Sequence, residues 1–269
     1  MPAFYERLEE TGPGGSTLLG RYRSTRHTAG PWDQGLQHAG PPTALLTRAV
    51  ERLGHGPPSP LVARVTVEIL APVPVTDLTL RATVERPGRR VAWCTGVLAT
   101  AADPESPLVR MQAWVLRRSD SPLDVPATPR QAVPAAGVET GRPRRWNPGY
   151  LDAVAWRAAD GEIGEPGPAT VWTRLTVAVV DDEEPSGAQR VVAVADSGSG
   201  ISAVADPARL LFVNTDLTVH LYREPVGEEI WMSAATSLDS SGVGLARTTL
   251  GDHEGDVGSA AQALFVAVR

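Results

Sequence analysis

At 269 residues the chain is long enough for one large domain or two ordinary ones, and its 42% of apolar residues can build a substantial core. A net charge of −6 excludes binding of nucleic acid or an anionic membrane through bulk electrostatics, and the single cysteine, Cys94, excludes an internal disulfide. Residues 1–15 carry Glu6, Arg7, Glu9 and Glu10 in place of an apolar leader, and no apolar run reaches about 18 residues, so the expectation is a soluble cytoplasmic protein with no membrane insertion.

The chain opens on Phe4-Tyr5-Glu6-Arg7-Leu8, and residues 16–22 alternate as a strand. Residues 30–42 are turn-rich and lead into a helix over 43–53, where Leu45, Leu46, Ala49, Val50 and Leu53 recur at helical spacing. Pro42 sits in its first turn and Gly54 stops it. Four strands follow at 61–70, 78–84, 91–99 and 109–117, with Arg86-Pro87-Gly88-Arg89 as a hairpin turn. In the first of them Val65, Val67 and Ile69 make one face and Arg64, Thr66 and Glu68 the other, so the sheet buries a single face. Cys94 falls inside the apolar run 91–97 and reads as a packing residue. Residues 119–148 hold six prolines and few large apolar side chains, the composition of a linker crossing the surface. Strand-like segments at 150–157 and 169–180 come next. Pro185 then opens a helical stretch with Val191, Val192 and Val194, which breaks at Asp196-Ser197-Gly198-Ser199-Gly200. The last strands occupy 211–222, 229–238, 243–251 and 257–269.

These last four strands repeat the first four about 152 positions on. Val65, Val67 and Ile69 align with Leu217, Val219 and Leu221. Leu78, Leu80 and Ala82 align with Ile230, Met232 and Ala234, and Val91 with Val243. Each copy closes on a Gln-Ala step, Gln112-Ala113 and Gln262-Ala263. A fixed-period repeat sets an architecture, and two copies suit a fused dimer. Each copy reads as a strand, a helix entered through a Gly-containing turn, and four antiparallel strands wrapping that helix. This α+β organisation is the hotdog fold, here in tandem as a double hotdog. The expected divisions are 1–118 for the N-terminal repeat, 119–148 for the linker and 149–269 for the C-terminal repeat.

Three places in the second copy carry a resemblance to a known family. Ala195-Asp196-Ser197-Gly198 resembles a Ser-Asp step whose Asp is catalytic. Asn214-Thr215-Asp216-Leu217-Thr218-Val219-His220-Leu221-Tyr222-Arg223 resembles the strand Thr/Ser-x-Asp-His-Ser-x-Trp-Phe-His-Arg, whose opening residue is the second catalytic position. Ser259-Ala260-Ala261-Gln262 resembles a final strand whose Gln is the third. In copy one, Gln37-His38-Ala39-Gly40 resembles a Phe-Gly-Gly helix entry. Together these are similar to the double-hotdog acyl-CoA thioesterase II family. The resemblance implies a thioester hydrolase of fatty acid metabolism with catalytic Asp196, Asn214 and Gln262, with His38, Gly40 and Gly198 on the substrate side, and with no cofactor or metal. The chain departs from that pattern at Asn214, where the family has Thr or Ser, at Leu217 and His220, and in the glycines and serines of 198–200.

Thioester hydrolysis needs an activated water and a sink for the oxyanion. Asp196 would accept a proton from the water or orient it, and the amides of Asn214 and Gln262 would hold it. Backbone N–H groups at a helix N-terminus would take the oxyanion, from the 198–201 turn or from Gly40 or Thr43, since Pro41 and Pro42 have none. Structural roles stand beside these: Asp196 capping a helix near Ser199, a strand-end hydrogen bond for Asn214, a fold role that Gln262 shares with Gln112. The first-copy counterparts of Asn214 and Asp196 are Val62 and about His38, which leaves one full set, in copy two. His38 is the rival general base, or else satisfies a loop carbonyl. Trp32 and Trp172 either line a pocket or pack. The pairs Arg89–Arg90, Arg117–Arg118 and Arg144–Arg145 read as solvated surface, any one of which could instead meet substrate phosphates. The resulting reading is direct attack of water on an acyl-CoA or acyl-carrier thioester. The alternative is a non-catalytic thioester-binding protein of the same fold. A hydratase ranks last, and a homo-oligomer through exposed edges or helices is a further option.

Overall fold

The alternating strands satisfy their backbone groups in one continuous sheet of 15 strands, and the two main helices lie together on its apolar side. A computed structural model describes residues 1–54, 60–121, 123–126, 128–144, 146–204 and 209–268; Arg145 and Arg269, named above, lie outside them. The first repeat runs β1 (Ala3–Thr11), β2 (Thr17–Ser24), α1 (Gly40–Glu51), β3 (Pro60–Ile69), β4 (Asp77–Arg86), β5 (Val91–Thr100) and β6 (Pro107–Arg117). After it come β7 (Val138–Thr140), β8 (Val154–Asp160), β9 (Ala169–Leu175), β10 (Ala178–Val180), α2 (Gly187–Ala195) and α3 (Gly198–Ile201). The chain ends with β11 (Leu210–Asn214), β12 (Asp216–Leu221), β13 (Glu229–Leu238), β14 (Val243–Asp252) and β15 (Gly255–Val268). Among the described residues no helix is long and apolar enough to cross a membrane.

The repeat becomes geometry where β3 meets β12. These equivalent strands pair antiparallel, with Val65 opposite Val219, Val67 opposite Leu217, and Thr66 opposite Thr218. Thr66 and Thr218 are themselves 152 positions apart, so a pseudo-two-fold axis passes between them. Outward from this axis the order is β3-β6-β5-β4-β2-β1 on one side and β12-β15-β14-β13-β9-β8 on the other, the same sequence of equivalents. The predicted parity holds: Val65, Val67, Leu217, Val219 and Leu221 are buried, as is Cys94. One apolar core runs through both repeats. Residues Gly40 to Val50 of α1 are all buried, as expected for a helix wrapped by its sheet.

The structure differs from the sequence reading at three instructive points. First, residues 211–222 are two strands, broken at Thr215. Copy one has a register shift at the matching place, between Val62 and Arg64. Second, part of 119–148 joins the sheet, since β7 pairs with β8. Third, Gln112 is not the counterpart of Gln262. Gln112 lies opposite Thr66, and the residue opposite Thr218 is Ala261, so Gln262 corresponds to Ala113. A one-residue slip changes the face. Gln112 is exposed on the outer side, whereas Gln262 is buried on the inner one.

The two helices pack side by side and antiparallel, the start of α1 against the end of α2 and the end of α1 against the start of α2. A Cβ on Gly40, the first residue of α1, would sit 2.1 Å from the carbonyl oxygen of Ala193 in the last turn of α2. Both groups are backbone, so no side chain can move to relieve the clash. Gly40→Ala is expected to cost about 1–3 kcal/mol, read as a lowered Tm, together with a loss of activity because α1 no longer seats against α2.

Candidate active site

The last turn of α2 delivers Asp196, which follows Ala195 as the C-cap. The next short helix, α3, is entered at Ser197 with no side-chain cap, so Asp196 does not act as the cap considered for it. Its carboxylate turns inward instead. Oδ1 accepts from Asn214 Nδ2 at 2.6 Å and from Gln262 Nε2 at 3.1 Å. Oδ2 lies 3.0 Å from His38 Nδ1, and the Asp196 side chain is 4% exposed. A carboxylate at a helix C-terminus opposes the helix dipole. Here the two amide donors and the facing N-terminus of α1 offset that penalty. The structure therefore brings together Asp196, Asn214, Gln262 and His38, three from the second repeat and one from the first.

Each partner is placed by a local feature of the chain. The break at Thr215 sets the phase of Asn214. In an unbroken strand Asn214 would share the outward face of Asp216, Thr218 and His220; with the break, it and Leu217 both turn inward. Gln262, on β15, also donates to the carbonyl of Asp196 at 3.1 Å and accepts from the N–H of Ser199 at 3.1 Å, so it ties the α2–α3 junction to the sheet. The His38 backbone N–H donates to the Thr28 carbonyl at 2.9 Å, and its ring stacks on Tyr150 with centroids 3.8 Å apart and planes 10° from parallel. Tyr150 is itself fixed: its hydroxyl donates to the Ala193 carbonyl at 2.9 Å and lies 3.0 Å from Ser197 Oγ. Burial pushes the Tyr150 hydroxyl well above its ordinary pKa, so it stays protonated.

A cleft of about 400 Å³ opens above this cluster, lined by His38, Asp196 and Asn214 and walled by Trp32, Trp146 and Trp156. That is three of the seven tryptophans of the chain at one site. Trp32 and Trp146 meet edge to face at 5.3 Å, and Trp156 Nε1 donates to the Leu151 carbonyl at 3.0 Å. Gly40 and Gly198 are not among the lining residues. Gly198 is buried against Thr248 and Gln262, where a Cβ would come within 2.4 Å of Thr248 Oγ1. Trp172 lies elsewhere, stacked on His253 and donating to the Ala135 carbonyl. Of the backbone donors considered for an oxyanion, Thr43 donates to Ala39, Ser199 to Gln262, and Gly200 and Ile201 to Ser197. Gly40 N–H lies 3.1 Å from His38 Nδ1.

Two expectations change here. The counterpart of Asp196 is not near His38, because α1 and α2 are the equivalent helices. At the matching end of α1 stands Glu51, whose carboxylate accepts from Ser186 Oγ at 2.7 Å and Gln189 Nε2 at 2.6 Å, at the N-terminus of α2. Burial raises the pKa of Glu51, and nothing like Asn214 faces it, since Val62 occupies that place. Tyr150, Trp146 and Trp156 have no role in the sequence reading; for Trp146 and Tyr150 the available signal is the run Trp146-Asn147-Pro148-Gly149-Tyr150, two aromatic residues around a turn in a polar stretch.

Residues 28–116 match the model of the acyl-CoA thioesterase N-terminal domain, and residues 126–266 match that of the acyl-CoA thioesterase C-terminal domain. Among curated proteins none matches the chain by sequence. Solved structures share the fold at low identity. A conserved hotdog-fold protein of unknown function from Alicyclobacillus acidocaldarius aligns with a TM-score of 0.72 at 16% identity, over 97% of this chain and 96% of its own. The tesB protein of Mycobacterium avium subspecies paratuberculosis aligns at 0.69 and 14%, over 97% and 96%. An acyl-CoA thioesterase II of Mycobacterium marinum aligns at 0.63 and 12%, over 94% and 92%. With both halves of the family model matched along one double hotdog, the chain belongs to the acyl-CoA thioesterase family and is a thioester hydrolase.

Proposed function

We propose that the protein hydrolyses an acyl-CoA thioester by direct attack of a water held at Asp196, Asn214 and Gln262, with no covalent acyl-enzyme. The observation that carries this reading is the buried Asp196 carboxylate, flanked by the two amides at 2.6 and 3.1 Å on the floor of the cleft. Asn214 lines the cleft and presents its amide to the water, while Asp196 fixes the orientation of that amide and Gln262 in turn holds Asp196. The water oxygen bonds to the thioester carbon, the C–S bond breaks, and the products are a carboxylic acid and free CoA thiol. The N-terminus of α1 is the positive pole nearest the developing oxyanion. The walls are indole and aliphatic surface, suited to an acyl group.

Thiol release from acyl-CoAs of increasing chain length tests the reading, with the protein mass followed during turnover. Steady thiol release without an acyl adduct is the expected result. Binding of acyl-CoA with no release across the panel would move the protein to the non-catalytic thioester-binding alternative. An accumulating acyl adduct would rule out direct water attack.

A further inference from the structure

Resting on the hydrolase reading above, we propose that His38 is the general base of the reaction and that Asp196 is its orienting partner, so that the catalytic dyad is assembled across the seam between the two repeats. The geometry of Asp196 points away from a direct proton acceptor. Oδ1 already takes both Asn214 and Gln262, Oδ2 faces His38, and the side chain is 4% exposed. A carboxylate oxygen has about two acceptor sites, so Oδ1 is filled. His38 is the more open of the pair, with 13% of its side chain exposed, and it lines the cleft.

The tautomer follows from the charges. Nδ1 has two neighbours, the carboxylate oxygen of Asp196 at 3.0 Å and the N–H of Gly40 at 3.1 Å. A bare Nδ1 would accept from Gly40 but turn a lone pair toward an anion. A protonated Nδ1 makes a charge-assisted hydrogen bond to Asp196, the stronger of the two interactions. That choice leaves Nε2 with a free lone pair for the water, the arrangement an acid–base histidine requires. The proton taken by Nε2 from the attacking water returns to the leaving sulfur as the C–S bond breaks, so the cycle balances without a co-reactant. The ring is held by the Tyr150 stack, and its backbone N–H by the Thr28 carbonyl. The other acidic side chain lining the same cleft is Asp33, from the loop ahead of α1.

This arrangement also gives the two repeats distinct work. The second contributes Asp196, Asn214 and Gln262, and the first contributes the base and the helix N-terminus that faces the oxyanion. Neither repeat holds a dyad alone.

The test is the pH dependence of kcat/KM for thiol release by the wild type, His38→Gln and Asp196→Asn, with folding checked by thermal melts. His38→Gln is expected to lose roughly 10²–10⁴-fold, to lose the acidic limb of the profile, and to keep its affinity for a non-hydrolysable acyl-CoA thioether. Added imidazole should partly restore His38→Ala. A His38→Gln enzyme within a few-fold of wild type that keeps its acidic limb would overturn the proposal and leave the hydrolase reading intact. Absence of turnover by the wild type itself would bring down both. Should the variants fail to fold, ¹⁵N shifts of the histidine-labelled wild type decide the matter: Nδ1–H with a bare Nε2 is expected at neutral pH, and an Nε2–H tautomer contradicts the dyad.

Discussion

Asp196→Ala is expected to lower kcat by about 10³-fold or more. Removal of an orienting carboxylate costs on the scale of general-base catalysis, roughly 10²–10⁴-fold. Here it also takes away the shared acceptor of Asn214, Gln262 and His38. Three donors that were positioned by one group would then drift, and effects of residues acting as a unit do not add. A double variant Asp196→Ala/Asn214→Ala should therefore be scarcely slower than Asp196→Ala alone. Buried donors left without an acceptor cost about 1–3 kcal/mol each, so some fall in Tm is expected as well. Thiol-release kinetics on the single and double variants, beside melts, check both statements. Full additivity of the two losses would mean that the residues act separately.

Arg48→Ala is expected to destabilise the fold by about 3–5 kcal/mol, roughly a 10 °C fall in Tm for a chain of this size. Arg48 sits inside α1 with 1% exposure. Nε and Nη2 donate to the two oxygens of Glu183, each at 2.6 Å, and Nη1 donates to Glu10 at 2.6 Å and to the Tyr22 hydroxyl at 3.1 Å. Glu10 lies near the end of β1 and Glu183 follows β10, so the guanidinium joins the helix to both halves. Removal of it takes the central partner from both carboxylates, leaving buried Glu10 to Arg52 and the more open Glu183 to Arg7 and Arg52. Arg48→Met made together with Glu10→Gln and Glu183→Gln should cost less, because no carboxylate is then left without Arg48 and the remaining charges, Arg7 and Arg52, are about one-third exposed.

The same network sets the acid limit of the fold. Burial works to raise Glu10, but the hydrogen bonds from Arg48 and Tyr22 and the charges of Arg48 and Arg52 hold it below the usual carboxylate value. The hydrogen bond from Arg48 leads the causes that lower Glu183, against some burial. A depressed folded pKa means that the unfolded chain binds more protons. The stabilisation is therefore present above the unfolded carboxylate value of about 4.3 and is lost as pH falls through the folded values. Tm should hold near neutrality and drop below roughly pH 4. In Arg48→Ala that acid drop should be shallower, since the favourable partner of both carboxylates is gone; an unchanged slope would show that other groups set the acid limit.

The strand pattern, its period and the wrapped helix were legible in the sequence because they rest on local physics. Alternation at Val65, Val67 and Ile69 defines a buried face whatever the partner strand is. The copy at Leu217, Val219 and Leu221 follows with the same parity, which made a double hotdog readable from one chain. Asp196, Asn214 and Gln262 could be named as a group because of their polarity at strand and helix ends and the resemblance those segments carry. Their mutual distances could not, since they depend on contacts 18 and 66 positions apart.

What tertiary structure decided was phase and contact. The pairing register makes Ala261 the equivalent of Gln112, so Gln262 lies inside where Gln112 is outside, and a break at Thr215 turns Asn214 from the outer face to the cleft. No periodicity in a single strand reports either, because a bulge is fixed by the partner strand and the packing behind it. The pairing of His38 with Asp196 is likewise a product of packing. It exists because Gly40 lets α1 approach the backbone of α2 closely, which brings a loop of one repeat against the helix end of the other.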